Sequence, residues 1–224
     1  MPTAQDFLNL RNSFEVQISK ADIEHMPAWE THKRPVILVS DDNIEHAVSE
    51  LKQYKVLGFD TESRPTFKRG GQDHPIALIQ LASQDKCWLF QINKISNLDS
   101  LAHILQSGEI RKVGLGLSSD RRRFKNDFSV QIHNLIDLDV VFKSLGRKNQ
   151  MGAKQMVAQL FGKKLKKSKK QSLSNWAADH LNPAQISYAS DDAFCVVDAW
   201  YDMQRKLLAY QAFVPNKIRV LFKK

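Results

Sequence analysis

The chain has 224 residues, 42% of them hydrophobic, which is enough for one sizeable core and too few for two full domains. Lysine and arginine number 33 against 24 aspartate and glutamate, a net charge of +9 that favours a polyanionic partner such as nucleic acid, though ordinary solubility also explains it. Two cysteines without a CxxC pair, and no histidine at zinc-ligand spacing, exclude a disulfide framework and a structural zinc and suit a reducing cytoplasm. No secretory leader is visible, and no apolar run approaches the roughly 18 residues of a membrane helix.

Residues 1–34, running into THKRP, have weak periodicity and read as an N-terminal extension. Regular alternation starts at Pro35. PVILVS (35–40) reads as a strand, DDNIEHAVSELKQ (41–53) as a helix with Ile44, Ala47, Val48 and Leu51 on one stripe, and VLGFDTE (56–62) as a second strand. The basic, Gly- and Pro-punctuated SRPTFKRGGQDHP (63–75) is a loop and a candidate to face substrate. IALIQLAS (76–83) and CWLFQI (87–92), joined by QDK, have the signature of a hairpin, so a mixed sheet is expected. LDSLAHILQSG (98–108) is a helix closed by Gly108, RKVGLGL (111–117) a strand, SSDRRRFKNDF (118–128) a helix with a serine cap, and NLIDL (134–138) a strand. From there the chain turns helical through GAKQMVAQLFG (152–162), the basic KKLKKSKK (163–170), SLSNWAADHL (172–181) and a long helix opening at Asn182 and Pro183. VPNKIRVLFKK (214–224) is a basic apolar tail that either packs back or touches substrate. The expectation is an α/β domain over 35–210, between the extension 1–34 and a tail 211–224.

Three groups of carboxylates carry the candidate chemistry. Alternation along a strand puts Asp60 and Glu62 on one side and Phe59 and Thr61 on the other. Two carboxylates sharing a patch repel unless a cation or proton compensates them, and a divalent metal is the natural compensation; the plainer reading is a strand end that has reached solvent. In the last helix Tyr188 and Asp192 lie one turn apart on one face, beside the apolar stripe of Ile186, Ala189, Ala193, Val196, Val197 and Trp200. Alternatively Asp191, Asp192 and Asp198 form a solvated acidic face. Asp120 opens the helix after RKVGLGL, where it either serves the helix dipole or joins a site at the strand ends. Four carboxylates suit two magnesium or manganese ions, one activating water and the other stabilising the leaving 3'-oxygen of a phosphodiester. Tyr188, with an ordinary pKa near 10, is a group that orients water rather than a strong base.

Taken in order, FDTE, VGLGLSSDRRRF and SNWAADHLNPAQISYASDDA resemble the three motifs of the DEDD superfamily of 3'-5' exonucleases. The tyrosine four residues before the last aspartate is similar to the DEDDy branch; the other branch has a histidine five residues before it, where this chain has Ser187. ALIQLAS and KKSKKQSLSNW also resemble the ribonuclease D and Werner-syndrome-helicase exonuclease group, over about residues 35 to 205. The resemblance implies a ribonuclease-H-like fold, a mixed sheet flanked by helices. It implies that Asp60, Glu62, Asp120 and Asp192 bind two divalent metals, Mg2+ or Mn2+, that Tyr188 positions the water, and that the substrate is DNA or RNA with a 3' end. Asp191 is an additional acid beside the last motif aspartate, and the C-terminal helical domains of ribonuclease D have no counterpart, which tilts the reading toward the Werner-like branch.

GLGLSS after a strand, with Asp137 or Asp139 about 20 residues on, imitates a dinucleotide fingerprint, but Ser119 replaces the third glycine and Asp120 opposes a pyrophosphate. In the basic segment Lys169 and Lys170, with Trp176 beyond it, are the candidate nucleic-acid-binding residues; a solvated loop and a core tryptophan are the plainer readings. Against the exonuclease stands a catalytically silent or assembly-dependent nucleic-acid-binding module. The intact carboxylate set argues against a silent one.

Overall fold

In the computed structural model, which describes residues 2–31, 33–66 and 74–222, the sheet carries the molecule. It consists of β1 (Val36–Val39), β2 (Val56–Ser63), β3 (Ile76–Ala82), β4 (Cys87–Gln91), β5 (Arg111–Gly114) and β6 (Leu135–Asp137), in the order β1-β4-β3-β2-β5-β6. β3 runs antiparallel to β2 and β4, whereas β1-β4, β2-β5 and β5-β6 are parallel. The expected β3–β4 hairpin is present and the sheet is mixed. Of the six described strands only β3 runs against the others, and β2 lies between it and the parallel β5.

The helices are α1 (Ala4–Glu15), α2 (Lys20–His25), α3 (Ile44–Leu51), α4 (Asp99–Gln106), α5 (Asp120–Phe128), α6 (Leu138–Ser144), α7 (Ala153–Phe161), α8 (Lys169–Ser172), α9 (Pro183–Ala209) and α10 (Asn216–Phe222). Period-2 alternation along the strands divides their apolar side chains into two cores. Leu57, Phe59, Ile79, Leu81, Trp88 and Phe90 pack with residues of α3, α4 and α5, including Val48, Leu101 and Phe124. Leu78, Leu89 and Val113 point the other way, onto α9, α6 and α7. Each fully buried side chain of this size contributes about 1.5 to 3 kcal/mol. Both cysteines, Cys87 and Cys195, are unpaired and buried, and burial pushes their thiols up.

Three local expectations change, and the alternative left open for the tail resolves toward packing. Gly108 is not among the glycines with a left-handed backbone; Lys112, buried in β5, instead donates to the carbonyls of Ile104, Ser107 and Ile110 at 3.2, 2.7 and 2.8 Å and closes the end of α4. Burial brings that ammonium down to about 8. Beyond Ser172, SLSNWAADHL is not a helix: the helical turn is α8, whose first two residues, Lys169 and Lys170, end the lysine run. The Ala177 amide donates to Asn175 Oδ1, and Gln185 donates to Ser174 and to the Asn175 carbonyl, and this side-chain bonding competes with helix there. Residues 4–25 contain α1 and α2, which lay Phe7, Phe14 and Ile23 into the protein. The tail packs back, with Phe222 of α10 stacked on Trp200 at 4.3 Å. No described helix is long and apolar enough to cross a membrane.

Candidate active site

The parallel strands β2 and β5 end on the same side of the sheet, so Asp60 and Glu62 near the end of β2 meet the start of α5, where Asp120 stands. Thr61 points away from Asp60 and donates to Asp120 Oδ1 at 2.9 Å. That bond ties the β2 motif to the α5 motif. Asp192 arrives from α9, whose start is fixed by Asn182 and Gln185 in a reciprocal capping box with Pro183 following.

Gly58 seats this helix. It lies two residues before Asp60, on the same face of β2, and a Cβ there would meet the carbonyl oxygen of Ala193 at 2.0 Å. The missing side chain lets the α9 backbone at Ala193 lie directly on the strand and brings the adjacent Asp192 to Asp60. The sequence reading passed over Gly58, although a glycine inside an otherwise apolar strand is itself the signal of a close backbone approach. Gly58→Ala is expected to lift α9 at this point, lowering stability by about 1 to 3 kcal/mol and turnover by about a hundredfold. A melt and an initial rate measured on the same preparation check this, and wild-type values for both would free the site from any dependence on that contact.

The four carboxylates interact. Burial, then the charges of Asp192 and Asp120, push Asp60 up to about 7 against the opposing pull of Lys167. Burial, then Asp60 and Asp192, push Glu62 up to about 9. Asp120 and Asp192 are also raised, chiefly by burial. Asp192 is only 3% exposed and Lys167 Nζ stands 2.7 Å from its Oδ1. Among the described residues its Oδ2 has no hydrogen-bond partner. Opposite Asp60 in the β2–β3 ladder lies Gln80, fully buried, with both amide atoms unpartnered among the described residues. Buried anions and orphaned polar atoms of this kind call for cations or water.

That chemistry fits a hard divalent cation with oxygen ligands. Among the described residues, however, no three His, Cys, Asp or Glu side chains converge as a ready metal cluster. The physical reason lies in the partners just described: Lys167 holds one carboxylate, Thr61 another, and like charges have no cause to draw together without a cation between them.

Tyr188 lies one helical turn from Asp192, with Trp176 5.8 Å from its ring and Lys167 Nζ 5.0 Å from it on another side. Burial and the charge of Asp192 push its phenol up to about 12. Asp191, the additional acid, accepts a hydrogen bond from Thr31 and is raised to about 6, mainly by burial. Asp198 pairs with Arg34 at 2.7 Å. The three α9 aspartates therefore do not form a solvated face.

The substrate-side residues read from the sequence fare differently. Trp176 is fully buried behind Tyr188, which corrects its placement on the substrate side: it is a core anchor. Lys169 and Lys170 are exposed on α8 and are not brought to the carboxylates; Lys167 of the same run is. Of the loop 63–75, residues 67–73 lie outside the described residues, but its two ends line a cleft of about 680 Å3 with Arg64, His74, Arg122 and Arg123. Arg123 donates to Ser63 and to the carbonyl of His74, and its charge lowers both Glu62 and Asp120. The GLG turn serves no dinucleotide, because the amides of Gly116 and Leu117 donate to Asp137 at 2.9 and 2.8 Å.

With this geometry, comparison with known proteins is decisive. The family model for the 3'-5' exonuclease domain matches residues 35–208. The chain belongs to that family. The exonuclease domain is 32% identical over 170 residues to the bifunctional 3'-5' exonuclease/ATP-dependent helicase WRN of Mus musculus, covering 75% of this chain and 12% of that protein. In three dimensions it is similar to the EXO domain of Aedes aegypti Nibbler, with a TM-score of 0.73 and 25% identity, covering 87% of this chain and 100% of that one. It also matches Escherichia coli RNase D, an exoribonuclease, with a TM-score of 0.66 and 23% identity, over 85% of this chain and 50% of that one, a likeness of fold. The sheet and its flanking helices are thus ribonuclease-H-like, as in the RNase D-type exonucleases. The chain spans less than half the length of the curated relatives it matches, from 12% of the mouse protein to 49% of an Arabidopsis thaliana 3'-5' exonuclease.

Proposed function

We propose that this chain hydrolyses phosphodiester bonds from the 3' end of DNA or RNA, releasing nucleoside 5'-monophosphates, with Asp60, Glu62, Asp120 and Asp192 holding two magnesium or manganese ions. The observation that carries this is the meeting of four buried or half-buried carboxylates from β2, α5 and α9, each with its pKa raised. When bound, the ions activate the attacking water and stabilise charge on the departing 3'-oxygen. The chain's own residues do the positioning. Tyr188, raised to about 12, stays a neutral phenol at pH 7 and offers an O–H to orient water rather than a base to deprotonate it. Just beyond Glu62 in the chain, Ser63 and Arg64 line a cleft with Arg122 and Arg123, whose positive charge suits a phosphate backbone. Thr61 holds Asp120 in register with Asp60.

The test is a ladder assay with 5'-labelled single-stranded DNA and RNA, in magnesium, manganese or chelator, beside an Asp60→Ala control. Shortening from the 3' end that needs the metal and Asp60 supports the proposal, and the relative rates rank the preferred sugar. Strands that bind without shortening would instead indicate the silent or assembly-dependent module.

A further inference from the structure

We propose that Lys167 is a resident counter-cation of the carboxylate site, holding Asp192 when no metal is present and giving way when divalent ions bind. The inference rests on the metal-binding reading of Asp60, Glu62, Asp120 and Asp192. Six lysines stand in the run 163–170, and five of them have other surroundings. Lys164 reaches back to the carbonyl and carboxylate of Glu24, Lys163 lines a cleft with Arg34 and Asp198, Lys166 lines one with Tyr188 and Asp191, and Lys169 and Lys170 are exposed on α8. Lys167 alone of the run makes the 2.7 Å contact with Asp192 Oδ1 and sets its ammonium 5.0 Å from the Tyr188 ring.

Its surroundings are those of a small cation site. Burial works against its charge, yet Asp192, Tyr188 and Asp60 outweigh burial and hold the ammonium above the usual lysine range. Reciprocally its charge lowers Asp60, Glu62, Asp191 and Asp192. One ammonium cannot compensate four carboxylates, and it stands against a single oxygen of Asp192 while Oδ2 has no hydrogen-bond partner among the described residues. A divalent ion held by the same aspartate brings two charges to within a few ångström of the ammonium, and two cations at that separation repel strongly in a poorly solvated site. The lysine has a way out: its side chain remains 26% exposed, against 3% for Asp192, and it sits in the irregular segment between α7 and α8 rather than inside a helix. Lys167 is therefore a positioning residue that acts on the metals through Asp192, setting how much metal is needed to assemble the site.

Mn2+ binding to the full chain, measured by calorimetry and by the loss of the free-ion spin-resonance signal without nucleic acid, tests this directly. Lys167→Met removes the competitor and is expected to bind Mn2+ about tenfold tighter, equivalent to about 1.4 kcal/mol. Lys167→Gln should behave alike, and Lys167→Arg should restore the wild-type affinity. The metal-free Lys167→Met protein should also melt lower and gain more on adding Mn2+. Unchanged or weaker Mn2+ binding in both neutral variants, with wild-type binding intact, would overturn the counter-cation. A wild-type chain that binds no Mn2+ would instead overturn the metal reading on which it depends.

Discussion

Glu62→Gln is expected to cut turnover by about a thousandfold or more while making the metal-free protein more stable. The first effect follows from losing a carboxylate ligand. The second follows from linkage. The carboxyl of Glu62 is pushed up to about 9 in the folded protein, against about 4.3 in an unfolded chain, so the folded state keeps a proton that the unfolded state gives up. Stability from that proton is complete below the unfolded value and is lost as pH climbs through 9. Asp60, raised to about 7, adds the same loss over a lower window. Metal-free wild type should thus melt at steadily lower temperature from about pH 5 to pH 9. Glutamine imitates a permanently protonated group and makes that slope shallower, as should saturating magnesium or manganese, which compensate the charges. Scanning calorimetry in chelator across this range decides it, and equal slopes in wild type and variant would show that Glu62 ionises freely in the fold.

This trade between stability and chemistry explains which parts of the site were legible in the sequence. The carboxylates stand in strand and helix registers that alternation and the four-residue helical repeat expose directly, and Asp60, Glu62, Tyr188 and Asp192 lie near enough for their charges to act on one another. The hairpin was readable because β3 and β4 are β-rich runs separated by only four residues. What escaped depended on three-dimensional partners. Nothing local in KKLKKSKK tells Lys167 from Lys169, since the difference is made by Asp192 on another element. Trp176 looks like a stacking platform until Tyr188 is placed over it. Closure of α4 by a lysine six residues beyond the helix end is equally invisible before β5 is in place.

Weak periodicity hides how closely the N-terminal segment packs, and a chain beginning at Pro35 is expected not to fold cooperatively. The family match starts at residue 35, yet Phe7, Phe14, Ile23 and Trp29 all lie before it and all are buried. At about 1.5 to 3 kcal/mol each, these four represent on the order of 10 kcal/mol as an upper bound, comparable with the whole stability of an ordinary domain. Removing them also uncovers Phe142, on which Phe14 packs edge-on at 5.5 Å. Backbone groups lose partners as well. Gln155 exchanges bonds of 3.2 and 2.5 Å with the amide and carbonyl of Ile18, Arg147 donates to the Phe14 carbonyl at 2.8 Å, and Trp29 and Pro27 bracket Lys164 at 2.9 and 2.8 Å. The same strap reaches the chemistry, because Thr31 bonds Asp191 and Arg34 pairs with Asp198 on either side of Asp192 in sequence. Circular dichroism melts of the chains beginning at residues 2 and 35 check this. A cooperative melt within a few degrees of the longer chain, with activity kept, would make residues 2–34 an appendage after all; loss of the transition would place them inside the folding unit.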